Sequence, residues 1–230
     1  MDRELSNLYL VASSKPWNKK LAEDLRVKTG MNFQLISDPA ELTAKHLSEL
    51  KPRVIFFPHW SHIIAADVFQ NFECIIFHMT DLPFGRGGSP LQNLVVRGVF
   101  ETQISALKCI EEVDAGPIYL KRPLSLHGAA EDIYLRASEI IEQMIVEIIQ
   151  TAPLPVAQVG EPTIFKRRNP QQGNILETES LEKAFDMIRM LDAEGYPSAF
   201  LKVGNYRLEF TRAERKAGSI LADVRITLQE

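Results

Sequence analysis

The chain has 230 residues, 45% hydrophobic and 24% charged, which is the composition of a globular protein with one medium-sized domain and room for a small appendage. A net charge of −4 does not favour a nucleic-acid-binding surface, and no apolar run approaches the ~20 residues that span a bilayer. The charged N-terminus lacks the apolar core of a signal peptide, and Cys74 and Cys109 each lie beside aliphatic residues. We therefore expect a cytoplasmic protein with buried thiols that binds neither nucleic acid nor membrane.

Short apolar runs alternate with helical patterns in the first part of the chain. Strands are predicted at residues 8–12, 32–36, 53–57 and 73–77. Helices are predicted at 18–28 and 39–50, the second with Asp38 as its N-cap. This alternation predicts βαβ units in a doubly wound, mostly parallel α/β sheet, and the continuous apolar character of the strands indicates that both faces are covered.

In the second part of the chain, the sequence pattern no longer alternates between short strands and helices. A helix at 91–97, two extended runs at 103–110 and 117–121 joined by a turn, and a long amphipathic helix at 131–150 complete the first region. A linker with four prolines follows at 151–172, and then a helix capped by Ser180, a hairpin around Gly204 and Asn205 and a last strand within 220–228. We predict a core over residues 1–152, a linker over 153–172 and a small C-terminal α+β appendage over 173–230.

Polar residues follow the strands at the edge where ligands bind in an open parallel sheet. His78 follows the fourth predicted strand, the segment 58–64 follows the third, and Asp114 lies in a turn after a later extended run. A histidine beside a carboxylate is a minimal acid–base pair, suited to attack by an amine on an acyl carbon. Spacing alone also allows His78 to be an ordinary loop residue and Asp114 to be only a turn former. The catalytic and the structural interpretation therefore both stay open here.

Two further features near these residues have a chemical interpretation. The run GRGG at 85–88 allows backbone amides to approach a ligand closely, although its spacing matches neither phosphate-binding fingerprint, and Pro90 is predicted to begin the next helix. His59 and His62 flank Trp60 at a spacing that could hold a metal ion. No cysteine or carboxylate cluster completes such a site, so we predict no metal.

Three segments of the sequence match one known family in the order in which that family has them. The segment 78–90, HMTDLPFGRGGSP, bears the histidine; 111–118, EEVDAGPI, bears the aspartate; and 54–64, VIFFPHWSHII, contains the third strand and the loop after it. Together they resemble the histidine loop, aspartate loop and folate-binding loop of the formyltransferases that use N10-formyltetrahydrofolate. Asp114 follows His78 by 36 residues, the usual kind of interval, and the resemblance covers about a third of the chain.

The resemblance implies a Rossmann-like core that binds N10-formyltetrahydrofolate as co-substrate, with His78 as the catalytic imidazole and Asp114 as its partner. It also implies a pterin pocket lined on its two sides by Ser61, His62 and Ile64, and by Ile110, Glu112 and Val113. The family usually has an asparagine two residues before the histidine, where this chain has Ile76. Because losing one oxyanion donor typically costs about 2.7–4 kcal/mol of barrier lowering, a substitute donor is expected. The candidates are His78 itself, Thr80, Ser89 and the backbone amides of Gly87 and Gly88.

The C-terminal sequence, RRNP…IRMLDAEGYPSAF, resembles the appendage of sugar-nucleotide N-formyltransferases and the formylation domains of peptide synthetases. This implies a UDP- or dTDP-linked 4-amino-4,6-dideoxy sugar as acceptor, in cell-surface polysaccharide biosynthesis, with Arg86, Gly87 and Gly88 as substrate-binding residues. A transfer-RNA acceptor is not expected, because the appendage is small and the chain is acidic. A homodimer is possible. The alternatives are a folate- or nucleotide-binding module without activity, which Ile76 suggests, and a formyltetrahydrofolate hydrolase.

Overall fold

The computed structural model describes residues 7–229, so the prediction of no signal peptide rests partly on residues outside the described chain. The strands and α-helices follow one another as β1 (Leu8–Ala12), α1 (Leu21–Thr29), β2 (Asn32–Ile36), α2 (Ala44–Leu50), β3 (Val54–Pro58), α3 (Ala66–Phe69), β4 (Cys74–His78), β5 (Phe84–Gly87), α4 (Pro90–Val96), β6 (Glu101–Lys108), β7 (Ile118–Ser125), α5 (Ala130–Thr151), β8 (Thr163–Phe165), α6 (Leu181–Arg189), β9 (Ala199–Val203), β10 (Tyr206–Lys216) and β11 (Ser219–Leu228). Over residues 7–229, no helix is both long enough and apolar enough to cross a membrane.

A six-stranded sheet forms the centre of the first of two compact units, which comprises the chain up to Arg86 together with Gln103–Leu124 and Arg136–Ile164. The strand order is β2-β1-β3-β4-β6-β7. β1 pairs in parallel with β2 and β3, and β3 with β4, whereas β6 is antiparallel to β4. The predicted doubly wound, mostly parallel sheet is confirmed. Successive residues of β1, β3 and β4 are buried on both faces, which explains their continuous apolar sequences.

The second unit comprises Gly87–Thr102, Ser125–Leu135 and the chain from Phe165 onward. Its antiparallel sheet has the order β11-β10-β9, and α6 packs against β10. Ser180 caps α6 as predicted, since its hydroxyl accepts a hydrogen bond from the Lys183 amide at 3.2 Å. The predicted turn at Gly204 and Asn205 joins β9 to β10, which confirms the small α+β appendage.

The prediction of one continuous helix over 39–50 is wrong, because two start signals divide it. Asp38 caps a short 3₁₀ turn at Pro39–Glu41 by accepting from the Ala40 amide at 2.9 Å. Thr43 then caps α2 by accepting from the His46 amide at 3.3 Å. Leu42 lies between them with φ −82° and ψ 66°, which is not helical. Thr43, a cap residue within the helical sequence pattern, therefore begins a second helix.

The segment predicted to be a linker contains ordered structure. Val156 exchanges two backbone hydrogen bonds with Ile118, at 2.7 and 2.9 Å, and β8 pairs with β5. Both of these short strands were absent from the sequence prediction. The compact units are built from segments that alternate along the chain, and the division into residues 1–152, 153–172 and 173–230 stays a prediction.

The two cysteines are buried free thiols, as predicted. They lie on neighbouring strand ends, where the Cys109 amide donates to the Cys74 carbonyl at 2.8 Å. Burial raises the pKa of the Cys109 thiol to about 11, and it raises the pKa of Cys74 further. Neither thiol is a thiolate at neutral pH.

Candidate active site

His78 is the last residue of β4, because the strand ends one residue later than predicted. Its side chain is only 8% exposed. Because side chains alternate along a strand, His78 shares a sheet face with Cys74 and Ile76. Its Nε2 donates to the Gly85 carbonyl at 2.8 Å, which fixes the orientation of the ring. The loop that follows the strand therefore returns to hold the histidine that ends it.

The Asp114 carboxylate lies opposite the other nitrogen of this ring. Its Oδ2 is 3.5 Å from His78 Nδ1, and its side chain is 10% exposed. Asp114 has a left-handed backbone with φ +53°, which aspartate tolerates better than most residues. Two residues later, a Cβ on Gly116 would lie 1.8 Å from the Lys108 carbonyl oxygen, so only glycine fits there. Gly116 is thus required by the shape of this loop, and Asp114 is compatible with it.

Each ring nitrogen of His78 faces an acceptor oxygen. A neutral imidazole has one N–H and satisfies one of them, whereas a ring that carries both hydrogens satisfies both. Since Nε2 holds the Gly85 carbonyl, the exchangeable proton belongs to Nδ1, beside Asp114. The nearly buried positions of both side chains leave their interaction weakly screened by solvent. The predicted pair is therefore brought together in a form suited to proton transfer.

A side chain that the sequence did not indicate joins the two loops of this pair. The amide oxygen of Gln158 accepts from Arg86 Nε at 3.1 Å and Nη2 at 2.9 Å. Its amide nitrogen donates to the carbonyls of Asp114 at 2.8 Å and Gly116 at 2.9 Å. Arg86 Nη1 also donates to Glu112 at 2.9 Å. No motif identifies Gln158, because it lies in a proline-containing stretch without helical or strand pattern.

The residues predicted to line a pterin pocket lie in two loops that meet the same hydrophobic cluster. Ser61 and His62 are exposed, whereas Ile64 is buried in the cluster together with Cys109. On the other loop, Ile110, Glu112 and Val113 are exposed, Val113 to 66%. Ile63, beside the predicted residues, is 95% exposed. Exposed apolar side chains and open loop backbone are the groups that a flat, hydrogen-bonding heterocycle needs, so these residues fit a reduced folate.

Close chain packing explains the two glycines predicted to bind substrate. A Cβ on Gly87 would lie 2.4 Å from the Phe165 carbonyl oxygen, and one on Gly88 would lie 2.6 Å from the Arg167 side chain. The Gly88 amide donates to Phe165 at 3.1 Å. Their contact with substrate stays a prediction, as does that of Arg86.

His59 lies in a separate polar network in the first unit. Its Nε2 is 3.1 Å from the Ser138 hydroxyl, which in turn donates to the Asn18 amide oxygen at 3.1 Å. Burial, with a smaller contribution from the charge of Lys15, lowers the pKa of His59 to about 3. This histidine is neutral at physiological pH. Within residues 7–229, no three histidine, cysteine or acidic side chains are grouped so that they could hold a metal.

Known structures identify the family of the chain. It is 49% identical to a structure described as methionyl-tRNA formyltransferase from Clostridium thermocellum, with a TM-score of 0.94 over 96% of this chain and 99% of that one. The chain belongs to the formyltransferase family. A family model for the C-terminal domain of methionyl-tRNA formyltransferase matches residues 170–227.

More distant structures share the formyltransferase fold. HypX from Aquifex aeolicus, in complex with tetrahydrofolic acid, is 18% identical with a TM-score of 0.72, over 89% of this chain and 37% of that one. A sugar N-formyltransferase from a Shewanella species is 14% identical with a TM-score of 0.67, over 97% and 98% of the two chains. The formyl donor of the family is formyltetrahydrofolate.

The structure shows what surrounds Ile76, where the resemblance predicts an asparagine. Ile76 is half-buried and packs against the hydrophobic cluster that contains Phe57 and Ile64. Among the substitute donors, the Thr80 hydroxyl is directed to the Gly85 carbonyl at 3.4 Å, and the Ser89 hydroxyl accepts from the Arg168 amide at 3.0 Å. The Gly88 amide is already bonded to the Phe165 carbonyl, and which of the candidates serves as the substitute donor stays a prediction.

Proposed function

We propose that the protein transfers a formyl group from N10-formyltetrahydrofolate to the primary amine of a nucleotide-linked 4-amino-4,6-dideoxy sugar. The observation that carries the formyl-transfer part is the nearly buried pair of His78 and Asp114, 3.5 Å apart at the end of β4. The exposed loops at 61–64 and 110–113 supply the surface for the pterin. Membership of the formyltransferase family supports the same reaction.

The reaction requires two proton movements. The amine nitrogen bonds to the formyl carbon and loses a proton, while N10 of the donor leaves with a proton as the original bond breaks. His78 can accept the amine proton at Nδ1, because its Nε2 is occupied by the Gly85 carbonyl. Asp114 balances the charge of the ring in this state, and the same proton is then available to the leaving nitrogen.

Negative charge on the formyl oxygen must also be stabilised as the amine adds. Ile76 has no hydrogen-bond donor, so we assign this role to the Nδ1–H that His78 carries after it has accepted the amine proton. A single group with two tasks implies a slower reaction than in relatives that have an additional amide at this position.

The charge of the chain supports a small acceptor. With a net charge of −4, the protein has little to offer the many phosphates of a transfer RNA, whereas one arginine can hold one diphosphate. Arg86 is our candidate, and a diphosphate would replace Glu112 as the partner of Nη1. The similar length of the Shewanella sugar N-formyltransferase is consistent with this proposal. We also propose that the protein forms a homodimer and binds neither nucleic acid nor membranes.

The second candidate acceptor is the aminoacyl end of methionyl-tRNA. It is favoured by the name of the 49% identical structure and by the description of the family model that matches residues 170–227. The two candidates share the chemistry at His78 and differ only in what carries the amine.

One panel of assays separates these possibilities. The purified protein is incubated with N10-formyltetrahydrofolate and either UDP- or dTDP-linked 4-amino sugars, methionyl-tRNA, or no amine, and products are followed by mass spectrometry. Formylation of a sugar nucleotide supports the proposal, and formylation of methionyl-tRNA alone replaces it with the second candidate. Formate release without amine indicates a hydrolase. Tight donor binding in calorimetry without transfer to any acceptor indicates a binding module.

A further inference from the structure

Gln158 uses its whole hydrogen-bonding capacity inside the active-site region. Its amide oxygen accepts two hydrogens from Arg86, at 3.1 and 2.9 Å. Its amide nitrogen donates both hydrogens to backbone carbonyls, to Asp114 at 2.8 Å and Gly116 at 2.9 Å. The partners fix the direction of the amide, because a reversed amide would set N–H against the guanidinium and oxygen against two carbonyls.

The backbone on either side of Gln158 is held in place. Val156 exchanges two hydrogen bonds with Ile118, and the Thr163 amide donates to the Pro83 carbonyl at 3.2 Å. The segment is therefore fixed at both ends to the first unit, next to the aspartate loop and the histidine loop. A side chain on such a segment can transmit a defined position rather than follow a mobile chain.

The groups that Gln158 joins lie next to the two groups that contact His78. Arg86 directly follows Gly85, whose carbonyl accepts from Nε2 of His78. The carbonyl of Asp114 belongs to the residue whose carboxylate faces Nδ1. Asp114 has a left-handed backbone, and the hydrogen bond from Gln158 to its carbonyl helps to hold the loop in this conformation.

We propose that Gln158 is a positioning residue for formyl transfer, which sets the distance between Asp114 and His78 by tying the aspartate loop to Arg86. The inference rests on the proposed formyl transfer and does not depend on which amine is the acceptor. Gln158 touches neither ring nitrogen, so its effect passes through Asp114 and through Arg86.

Two substitutions test the hydrogen bonds of Gln158, which go to Arg86 on one side and to the carbonyls of Asp114 and Gly116 on the other. Gln158→Glu keeps the size and the oxygen that faces Arg86, but it replaces two N–H donors with an oxygen that repels the carbonyls of Asp114 and Gly116. Gln158→Met removes all four hydrogen bonds at similar volume. We expect both variants to lower kcat about 10- to 100-fold, because small displacements of reacting groups have effects of this size. The KM for donor and acceptor should change less than kcat, since binding loops are retained.

A double-mutant cycle tests whether the effect passes through Asp114. In the Asp114→Asn background, Gln158→Glu should lower kcat by less than about threefold, because the carboxylate that it positions is already lost. Gln92→Ala is the matched control, because Gln92 is a buried glutamine in the second unit that bonds to Tyr134 and to the Met190 carbonyl. We expect it to lower the Tm without coupling to Asp114. Equal fold losses from Gln158→Glu in both backgrounds would overturn the proposal.

A second readout requires no acceptor. The ring nitrogens of His78 are followed by ¹⁵N NMR, with the signal assigned by its loss in His78→Gln. We expect Gln158→Met to move the Nδ1 signal in the direction produced by Asp114→Asn, and Gln92→Ala to leave it in place. An unchanged Nδ1 signal in folded Gln158→Met would overturn the positioning role, whatever the outcome of the acceptor panel.

Discussion

The imidazole of His78 contacts a different partner through each nitrogen, so removing the side chain should lower the reaction rate. We expect His78→Ala to lower the rate of formyl transfer at least about 100-fold, the lower end for loss of an acid–base group. His46→Ala is the control, since His46 lies on α2, outside the site. Initial rates at saturating donor measure both. Turnover close to that of the unmodified protein would reject the catalytic role of His78.

Ile76 offers a test in the opposite direction. It lies two residues before His78 on the same strand face, where an asparagine amide could donate to the formyl oxygen. We expect Ile76→Asn to raise kcat at least about tenfold, because one added oxyanion donor is typically worth more than that. The same change places an amide against the hydrophobic cluster and should lower the free energy of unfolding by about 1–3 kcal/mol.

The matched variant for this experiment is Ile76→Val, which shortens the side chain without adding a donor. Its kcat should stay near that of the unmodified protein. If Ile76→Asn and Ile76→Val have the same kcat, position 76 does not face the formyl oxygen in this protein.

The strands and helices of the chain differ in how well the sequence predicts them. β1, β3 and β4 are apolar runs buried on both faces, and periodicity alone locates them within about a residue. β5 and β8 have four and three residues, and they form because their backbones meet each other. Neither has a periodic pattern of its own, so no local rule predicts either strand.

The candidate site divides in the same way. A resemblance in short motifs was enough to predict His78 and Asp114 as a pair, and the structure brings them together. Gln158 was out of reach, because its importance comes from three backbone or side-chain partners that are more than 40 residues away in the chain. Such contacts exist only after the sheet and the loops have formed.

The loop between β6 and β7 depends on one glycine. A methyl group on Gly116 would meet the Lys108 carbonyl oxygen at 1.8 Å, so Gly116→Ala must displace the backbone next to Asp114. We expect a loss of about 1–3 kcal/mol in the free energy of unfolding, together with a lower kcat. Chemical denaturation and initial rates measure the two effects.

Gly98→Ala is a useful comparison for this change. Gly98 has φ +72°, and apart from its own chain neighbours no atom lies within 4 Å of the place where a Cβ would be, so the substitution costs only backbone strain, about 1–2 kcal/mol. It should keep the kcat of the unmodified protein. A Gly116→Ala variant with the same full kcat would show that the aspartate loop tolerates the displacement.

Stability of the whole protein should depend on pH through His59. Its pKa is about 3 in the folded protein and 6.5 as its ordinary value, so between these values the unfolded chain binds a proton that the folded one does not. The free energy of unfolding should therefore fall as the pH is lowered from about 6.5 toward 3, by at most about 1.4 kcal/mol per pH unit from this group.

Urea unfolding at a series of pH values measures this slope. His59→Gln keeps an N–H near Ser138 without a titrating group, so its slope should be shallower than that of the unmodified protein. His46→Gln, on α2, is the matched histidine-to-glutamine comparison. Identical slopes for His59→Gln and the unmodified protein would assign the acid sensitivity to other groups.

The two protonated, inaccessible thiols give the molecule a practical property. A maleimide reacts with a thiolate at the surface, and neither Cys74 nor Cys109 supplies one. A single cysteine introduced on an exposed loop, for example in place of Glu111, can therefore carry a fluorophore without first removing the native sulfur atoms. Docking of a pterin beside such a dye could then be followed by its emission in real time.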